Sequence, residues 1–174
     1  KNDDENLTAQ KGSLLGPSWS LDEIKSFLDS SDINYEFYQD EKMRNKIISE
    51  LISESKVIGL FQGRTEFGPR ALGSRSIIGD ARNQDMQTKI NLKIKFRESF
   101  RPFAPAILID KVSRYFELNQ PSPYMMFVAP VNVAIRKPKS SKVTDDMLEI
   151  VREKRSEVPA ITHVDYSARI QTVD

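Results

Sequence analysis

Three segments of the sequence concentrate side chains that bind anions, and the first runs from Gln62 to Ser76. Its arginines and glycines alternate: Arg64, Arg70 and Arg75 with Gly63, Gly68 and Gly73. Glycine lets backbone N–H groups approach an anion, and guanidinium groups bind phosphate oxygens through paired hydrogen bonds. The segment therefore indicates an oxyanion-binding loop, although it has neither the GK[ST] ending of a P-loop nor a GxGxxG. The alternative is a structural loop whose arginines pair with Glu66, Asp80 and helix ends.

The second segment spans residues 91–105 and mixes cations with aromatic rings. It contains Lys93, Lys95, Arg97, Arg101, Phe96, Phe100 and Phe103. Cations next to aromatic rings can bind a nucleotide: they stack on its planar base while a lysine binds its phosphate. The competing interpretation, favoured because phenylalanines are usually buried, places all three rings in the core.

The third segment, residues 162–169, holds the only histidine of the chain. His163 could act as a general base that Asp165 orients. Two residues apart on a strand they share a face without having to bond, and a lone histidine is more often structural. Because the anion chemistry of the other segments needs positive charge more than a base, we favour a structural or binding role for His163.

Composition excludes several classes of protein. With 174 residues the chain has the size of one domain, and its net charge of +1 provides no field for nucleic acid or membranes. The absence of cysteine excludes disulfides, thiolate catalysis and Cys/His zinc sites, so we predict no metal site. No apolar run approaches the roughly 20 residues that span a bilayer, and no signal peptide opens the sequence, which predicts a cytoplasmic protein.

The hydrophobic pattern predicts the elements that position these segments. Residues 1–12 are polar and predict a linker. Predicted helices start after the caps Ser20, Asp40 and Asn83, and predicted strands cover 34–38, 57–61, 77–78, 106–109, 124–128 and part of 158–173. A short helix follows Asp110, a helical turn surrounds Met147, and residues 136–144 predict an exposed loop. Short strands and helices without a βαβ cadence favour an α+β or mixed α/β fold.

The same three segments resemble the C-terminal domain of the NodU-like O-carbamoyltransferases. Residues 63–82 are similar to the signature G-R-x-E-x-G-P-R-A-L-G-x-R-S-I-x-x-D-x-R of that family. Residues 91–105, with the block FRPFAP, and residues 162–169 are similar to its second and third blocks. The resemblance covers about residues 15–174; Gly79, Ser99 and Tyr166 depart from the usual residues without removing a charge.

The resemblance implies a YrdC-like fold, a twisted mixed sheet flanked by helices, over residues 13–174. It also implies that ATP and carbamoyl phosphate react to carbamoyl-adenylate with release of pyrophosphate, Mg²⁺ accompanying the nucleotide. The implied catalytic residues are Lys95, Arg101 and Arg70. The implied set for binding the two substrates is Arg64, Arg70, Arg75, Ser76, Asn91, Lys95, Arg101, His163, Ser167 and Arg169.

Family members also have an N-terminal ASKHA-type domain, which carries the family's metal site and receives the hydroxyl acceptor. They continue beyond the point matching Asp174 with an L-N-T-S-F-N block that is not found here. We therefore expect a single domain, incomplete at its C-terminus, that does not complete carbamoyl transfer by itself. Two alternatives stay open: a module that binds nucleotide or double-stranded RNA, and an enzyme like threonylcarbamoyl-adenylate synthase, which would use bicarbonate and threonine.

Overall fold

The computed structural model describes residues 13–138 and 145–174. The chain divides into two compact units, Lys1–Ile78 and Gly79–Asp174, which we name the first and the second unit. Helices and two small sheets, one of them mixed, confirm the α+β class. A single YrdC-like domain over residues 13–174 stays a prediction. The predicted linker 1–12 and residues 139–144 of the predicted loop lie outside the described residues.

Two capped helices begin the first unit, as predicted. Helix α1 spans Leu21–Ser30, and its capping box is complete: the Ser20 hydroxyl accepts from the Glu23 N–H at 3.2 Å, and the Glu23 carboxylate accepts from the Ser20 N–H at 2.7 Å. Helix α2 spans Glu41–Ser53, and the Asp40 carboxylate accepts from the backbone N–H of Lys42. Local sequence is therefore sufficient to start both helices.

The predicted strand at residues 34–38 is wrong, because this segment is irregular. Its alternating aromatic side chains reach α1 instead of a neighbouring strand. The Tyr35 hydroxyl donates to the Asp29 carboxylate at 3.1 Å, and the Lys25 ammonium group lies 3.8 Å from the centre of the Phe37 ring. Alternation records which side chains share a face, and here a helix supplies the partner for that face.

The first unit ends in an antiparallel hairpin that presents the arginine-rich segment. Strand β1, Ile58–Phe61, pairs with strand β2, Arg75–Ile78, and Phe61 lies opposite Arg75. Both strands match the predicted positions, except that β2 also takes in Arg75 and Ser76. Trp19 packs against this hairpin, with its ring centre 5.7 Å from that of Phe61.

The second unit is built on a three-stranded mixed sheet in the order β3, β5, β4. Strand β5 is central; it runs parallel to β3 and antiparallel to β4. The elements are α3 (Met86–Lys93), β3 (Ala106–Leu108), a 3-10 turn (Ile109–Lys111) leading into α4 (Val112–Tyr115), β4 (Phe127–Pro130), α5 (Met147–Arg152) and β5 (Ser167–Val173). Further 3-10 turns cover Val133–Ile135 and Pro159–Ile161.

The hydrophobic core of the second unit lies on one face of β5. Val131, Ala168 and Ile170 have no exposed surface, and Phe116 is 2% exposed. Full burial of a valine, isoleucine or phenylalanine side chain contributes roughly 1.5–3 kcal/mol. The third predicted binding segment is therefore anchored in the core through the first residues of β5.

Several predicted boundaries in the second unit need correction. Asn83 does not cap α3: its side chain accepts from the Asp85 N–H in a local turn, and α3 starts at Met86 without a side-chain cap. Strand β3 is not buried, because it is an edge strand and Leu108 is 52% exposed. Strand β4 starts at Phe127 because the preceding backbone is left-handed at Met125, where φ is 56°.

The predicted exposed loop at residues 136–144 is also wrong at its first residue. Arg136 is half-buried; its Nε donates to the Val131 carbonyl at 2.8 Å, and its Nη2 lies 3.1 Å from the Glu117 carboxylate. This arginine therefore links the residue after β4 to the residues after α4.

Candidate functional site

The loop between β1 and β2, residues 62–74, is the hairpin loop, and it is shaped by one internal carboxylate. Glu66 Oε1 accepts from the backbone N–H of Leu72 at 2.8 Å and from that of Ser74 at 2.6 Å. The Gly73 N–H donates to the Ser76 hydroxyl at 3.1 Å. Partial burial raises the pKa of Glu66, but the backbone hydrogen bonds from Leu72 and Ser74 outweigh burial and lower it overall. Glu66 is therefore held as a carboxylate.

Three glycines of the hairpin loop have left-handed backbone conformations, Gly63, Gly68 and Gly73, with φ of 52°, 141° and 125°. Apart from the glycine itself and its two chain neighbours, no atom lies within 4 Å of where a side chain would begin at any of them. Space would allow a side chain at these positions, so glycine is needed for its backbone conformation. The positive φ angles bend the loop.

Two arginines of the predicted binding set hold the hairpin loop together. Arg64 donates to the carbonyls of Leu14 and Leu15 at 3.1 and 3.4 Å. Arg75 donates to the carbonyls of Gln62, Gly63 and Ser74 at 2.8 to 3.2 Å, and its guanidinium lies 3.5 Å from the centre of the Phe61 ring. Their guanidinium groups are engaged by backbone oxygens rather than by carboxylates, unlike the ion pairing considered as the alternative.

Arg70 differs from Arg64 and Arg75. It lies in the hairpin loop between Gly68 and Gly73, and it is exposed. Among residues 13–138 and 145–174, its guanidinium has no hydrogen bond or ion pair. Glu66, the acidic residue of this loop, is occupied by backbone amides instead. The hairpin loop thus presents one available guanidinium group.

The second segment forms a loop around a buried asparagine. Asn91, on α3, has no exposed surface. Its side-chain amide donates to the carbonyls of Ser99 and Arg101 at 3.1 and 2.8 Å, and its Oδ1 accepts from Arg97 Nε at 2.6 Å. Residues 94–101 are therefore folded around this amide, and we name them the asparagine loop. Asn91 positions this loop; direct contact with substrate stays a prediction.

The asparagine loop carries two predicted catalytic cations, both exposed. Within the described part of the chain, the Lys95 ammonium group has no partner, and Arg101 has only a 3.9 Å ion pair with Glu98 between two exposed side chains. Such a pair contributes little. Both groups are therefore accessible to an anion from solvent.

The core interpretation of the three phenylalanines holds for one of them. Phe96 is 86% exposed and Phe100 is 51% exposed, whereas Phe103 packs against the core of the second unit. Phe96 also has a left-handed φ of 48°. The two exposed rings adjoin the predicted cations in the sequence, Phe96 next to Lys95 and Phe100 next to Arg101.

The third segment forms a tight turn that brings its polar groups together. The His163 N–H donates to the Ser167 carbonyl at 2.9 Å, and the Tyr166 N–H donates to the His163 carbonyl at 3.0 Å. Asp165 Oδ1 accepts from the backbone N–H and the hydroxyl of Ser167 at 2.9 and 2.7 Å. The Asp165 carboxylate is thus used to close the turn.

The pKa of His163 is lowered from its usual 6.5, first by burial and then by the positive charge of Arg169, against an opposing effect of Asp165. Arg169 lies on β5 between the buried Ala168 and Ile170, so its own position is set by the sheet. A neutral imidazole next to a guanidinium is a hydrogen-bonding group at neutral pH. The arrangement therefore suits binding by His163 and Arg169.

Titration of His163 tests whether its pKa is lowered in the folded chain. Because the folded pKa lies below the unfolded value of 6.5, the unfolded chain binds more protons as the pH falls through 6.5, and the folded state loses stability there. We expect the single histidine's NMR ring signals to titrate with a midpoint below 6.5, and His163→Gln to remove the stability loss between pH 7 and the folded pKa. A midpoint at or above 6.5 would contradict the described environment.

A cavity in the second unit includes residues that the sequence interpretation did not predict as a site. It has a volume of about 390 Å³ and is lined by Asp80, Arg82, Lys111, Tyr115, Glu157 and apolar side chains including Ile107 and Val158. Arg82 forms a 2.7 Å ion pair with Asp80, which lowers the pKa of Asp80. Asp80 and Arg82 end the signature in the sequence, so their motif was visible, but Lys111 and Tyr115 join them only in the fold.

The predicted substrate-binding residues are divided between the two units. Arg64, Arg70, Arg75 and Ser76 belong to the hairpin of the first unit, and Asn91, Lys95, Arg101, His163, Ser167 and Arg169 belong to the second unit. Across residues 13–138 and 145–174, three or more acidic or histidine side chains never cluster in a way that could hold a metal ion. Over the same residues, none of the helices has the length and apolar character to cross a membrane.

Comparison with known proteins agrees with the signature. A family model described as Carbamoyltransferase C-terminus matches residues 49–174. An uncharacterized protein of Synechocystis is 52% identical over 168 residues, covering 95% of this chain and 27% of that protein. Nodulation protein NolNO of Sinorhizobium fredii is 42% identical, covering 72% of this chain and 16% of that protein. Nodulation protein U of Rhizobium fredii is 37% identical, covering 72% and 18%.

The chain thus spans less than a third of the length of these relatives. The family match nevertheless includes β1, the hairpin loop, the asparagine loop and the His163 turn. By this match and by the signature residues that the hairpin loop presents, the chain belongs to the carbamoyltransferase family, whose C-terminal region it represents.

Proposed function

We propose that this chain binds ATP and carbamoyl phosphate and forms carbamoyl-adenylate, as part of an ATP-dependent O-carbamoyltransferase. Membership of the carbamoyltransferase family supports the carbamoyl chemistry. The observation that carries the proposal for this chain is Arg70: an exposed guanidinium without a partner among the described residues, on a loop whose own carboxylate is already satisfied. Such a group is available to phosphate oxygens.

The chemistry requires positive charge rather than a strong base. Carbamoyl phosphate and one water yield carbamate and inorganic phosphate; a carbamate oxygen then attacks the α-phosphorus of ATP, and the bond to pyrophosphate breaks. Both substrates are anions, so attack must overcome their repulsion. Guanidinium and ammonium groups offset that repulsion and stabilise the charge on the transferring phosphoryl group. Arg70, Lys95, Arg101 and Arg169 are the cations that we assign to this work.

The remaining residues of the set support these cations. Arg64 and Arg75 shape the hairpin loop through backbone carbonyls, and Ser76 accepts from the Gly73 N–H. His163 binds as a neutral imidazole beside Arg169, in keeping with its lowered pKa. Mg²⁺ bound to the nucleotide would neutralise part of its phosphate charge.

Transfer of the carbamoyl group to a hydroxyl acceptor is assigned to the longer protein. The relatives are several times longer than this chain, and we place the acceptor in an ASKHA-type domain that precedes the matched region. This chain alone is expected to leave a hydroxyl acceptor unmodified. Measurable carbamoylation of an acceptor by the chain alone would contradict the assignment of this step to another domain.

Two measurements test the adenylate proposal. Calorimetric titration is expected to show binding of ATP with a mild dependence on salt, and labelled pyrophosphate is expected to exchange into ATP only when carbamoyl phosphate is present. Exchange with bicarbonate and threonine in its place would favour threonylcarbamoyl-adenylate synthesis. A steep loss of affinity for double-stranded RNA with increasing salt would favour an RNA-binding module, because release of counterions produces that dependence.

A further inference from the structure

The hairpin loop contains an acidic residue among three arginines, and that residue pairs with none of them. Glu66 lies two residues from Arg64 and four from Arg70, so ion pairing within the loop would be the simple expectation. Instead its Oε1 accepts from the N–H groups of Leu72 and Ser74 at 2.8 and 2.6 Å. The negative charge is thus directed at the backbone on the far side of Arg70.

The two hydrogen bonds close a ring of chain from residue 66 to residue 74, and Arg70 lies midway in it. Backbone N–H groups at alternating positions that converge on one oxygen form an anion-binding concavity. Here the occupant is the chain's own carboxylate, so the amides of Leu72 and Ser74 are not available to substrate. What remains for an incoming anion is the exposed guanidinium of Arg70.

The charge and the reach of Glu66 both matter for this closure. Bonds between a carboxylate and backbone N–H groups are stronger than neutral ones and are short, as observed. Gly68 and Gly73, which flank Arg70 in the ring, have left-handed backbones that other residues rarely adopt, so the ring needs a fixed anchor to hold one conformation. The carboxylate of Glu66 is that anchor.

We propose that Glu66 is a positioning residue that closes the hairpin loop and thereby presents Arg70 to the phosphate oxygens of the substrate. This inference rests on the proposed function, because it acts through substrate binding by Arg70. Glu66 itself touches no substrate. Its effect on binding must therefore disappear when Arg70 is absent.

A double-mutant cycle on this chain tests the proposal, with ATP as the probe in calorimetric titrations. We expect Glu66→Ala to weaken ATP binding by about tenfold, close to the loss of one charge-assisted hydrogen bond. In the Arg70→Ala background the same replacement should change the affinity by less than about twofold. Glu66→Gln is the matched control: its amide oxygen can still accept from both N–H groups but without the charge, so its loss of affinity should lie between none and that of Glu66→Ala.

The outcomes separate this inference from the proposed function. If the unaltered chain does not bind ATP, the proposed function fails; if it binds ATP but Arg70→Ala leaves that binding unchanged, the roles of Arg70 and of Glu66 fail while the proposed function stands. If Arg70→Ala weakens binding but Glu66→Ala does not, or if the two losses add, only the role of Glu66 fails. Trp19, the single tryptophan, packs on this hairpin and its fluorescence reports whether the first unit stays folded. Should Glu66→Ala unfold it, Glu66→Asp, which keeps the charge but shortens the reach, takes its place in the same cycle.

Discussion

Replacement of Arg70 by alanine is expected to weaken binding of ATP or carbamoyl phosphate by roughly 10- to 100-fold, the value of a hydrogen-bonded charge pair. The free energy of unfolding should change by less than about 0.5 kcal/mol, since the exposed side chain has no partner within the described residues. Calorimetric titration measures the affinity, and urea unfolding followed by Trp19 fluorescence measures the stability. Loss of affinity without loss of stability identifies a binding group.

Arg44→Ala is the matched control for this experiment. Arg44 is an exposed arginine of the first unit, on α2, where it forms a 2.9 Å ion pair with Glu41. Its removal takes away the same charge from the same unit, so it should alter substrate affinity by less than about twofold. Equal losses for Arg44→Ala and Arg70→Ala would show a general effect of charge and would reject the assignment of Arg70.

Replacement of Asn91 by alanine is expected to lower the free energy of unfolding by about 2–4 kcal/mol. The substitution leaves the carbonyls of Ser99 and Arg101 and the Nε of Arg97 without the amide that they share. Because the asparagine loop is folded around that amide, substrate affinity should fall as well, through misplacement of Lys95 and Arg101. Urea unfolding followed by circular dichroism measures the first effect, and calorimetric titration measures the second.

Gln87→Ala provides the comparison on the same helix. Gln87 also reaches the asparagine loop, but through one bond of 3.0 Å from its side-chain amide to the Phe100 carbonyl, and it is only half-buried. We expect a loss of about 0.5–1.5 kcal/mol, the usual value of a single hydrogen bond. A loss for Asn91→Ala no greater than that for Gln87→Ala would show that the buried amide does not organise the loop.

Local sequence accounts for the elements whose causes are local. Ser20 and Asp40 start α1 and α2 as predicted, because a capping bond connects residues only two or three positions apart. This explanation is incomplete for Asn83. Its side chain accepts from the nearby N–H of Asp85, but helix α3 starts later, at Met86. Which of several local bonds becomes a helix cap depends on packing beyond the turn.

Prediction was weaker where the hydrophobic pattern does not identify the element that a segment contacts. Residues 34–38 alternate as a strand would, yet their aromatic side chains contact α1. Residues 106–109 are apolar enough for a buried strand, yet β3 lies at the sheet edge and Leu108 is exposed. Hydrophobic patterns record which side chains avoid water together, but not which element covers them.

For the candidate site, the charged groups can all be identified from the sequence: the arginines and glycines of the hairpin loop, the cations near Asn91 and the lone histidine. Their roles depend on contacts that form only in the folded chain. Arg64 and Arg75 are engaged by backbone carbonyls, Glu66 by backbone amides and Asn91 by its own loop, whereas Arg70 and Lys95 stay exposed. The physical reason is that residue type sets which bonds a side chain can form, while the folded backbone determines which donors and acceptors come within reach.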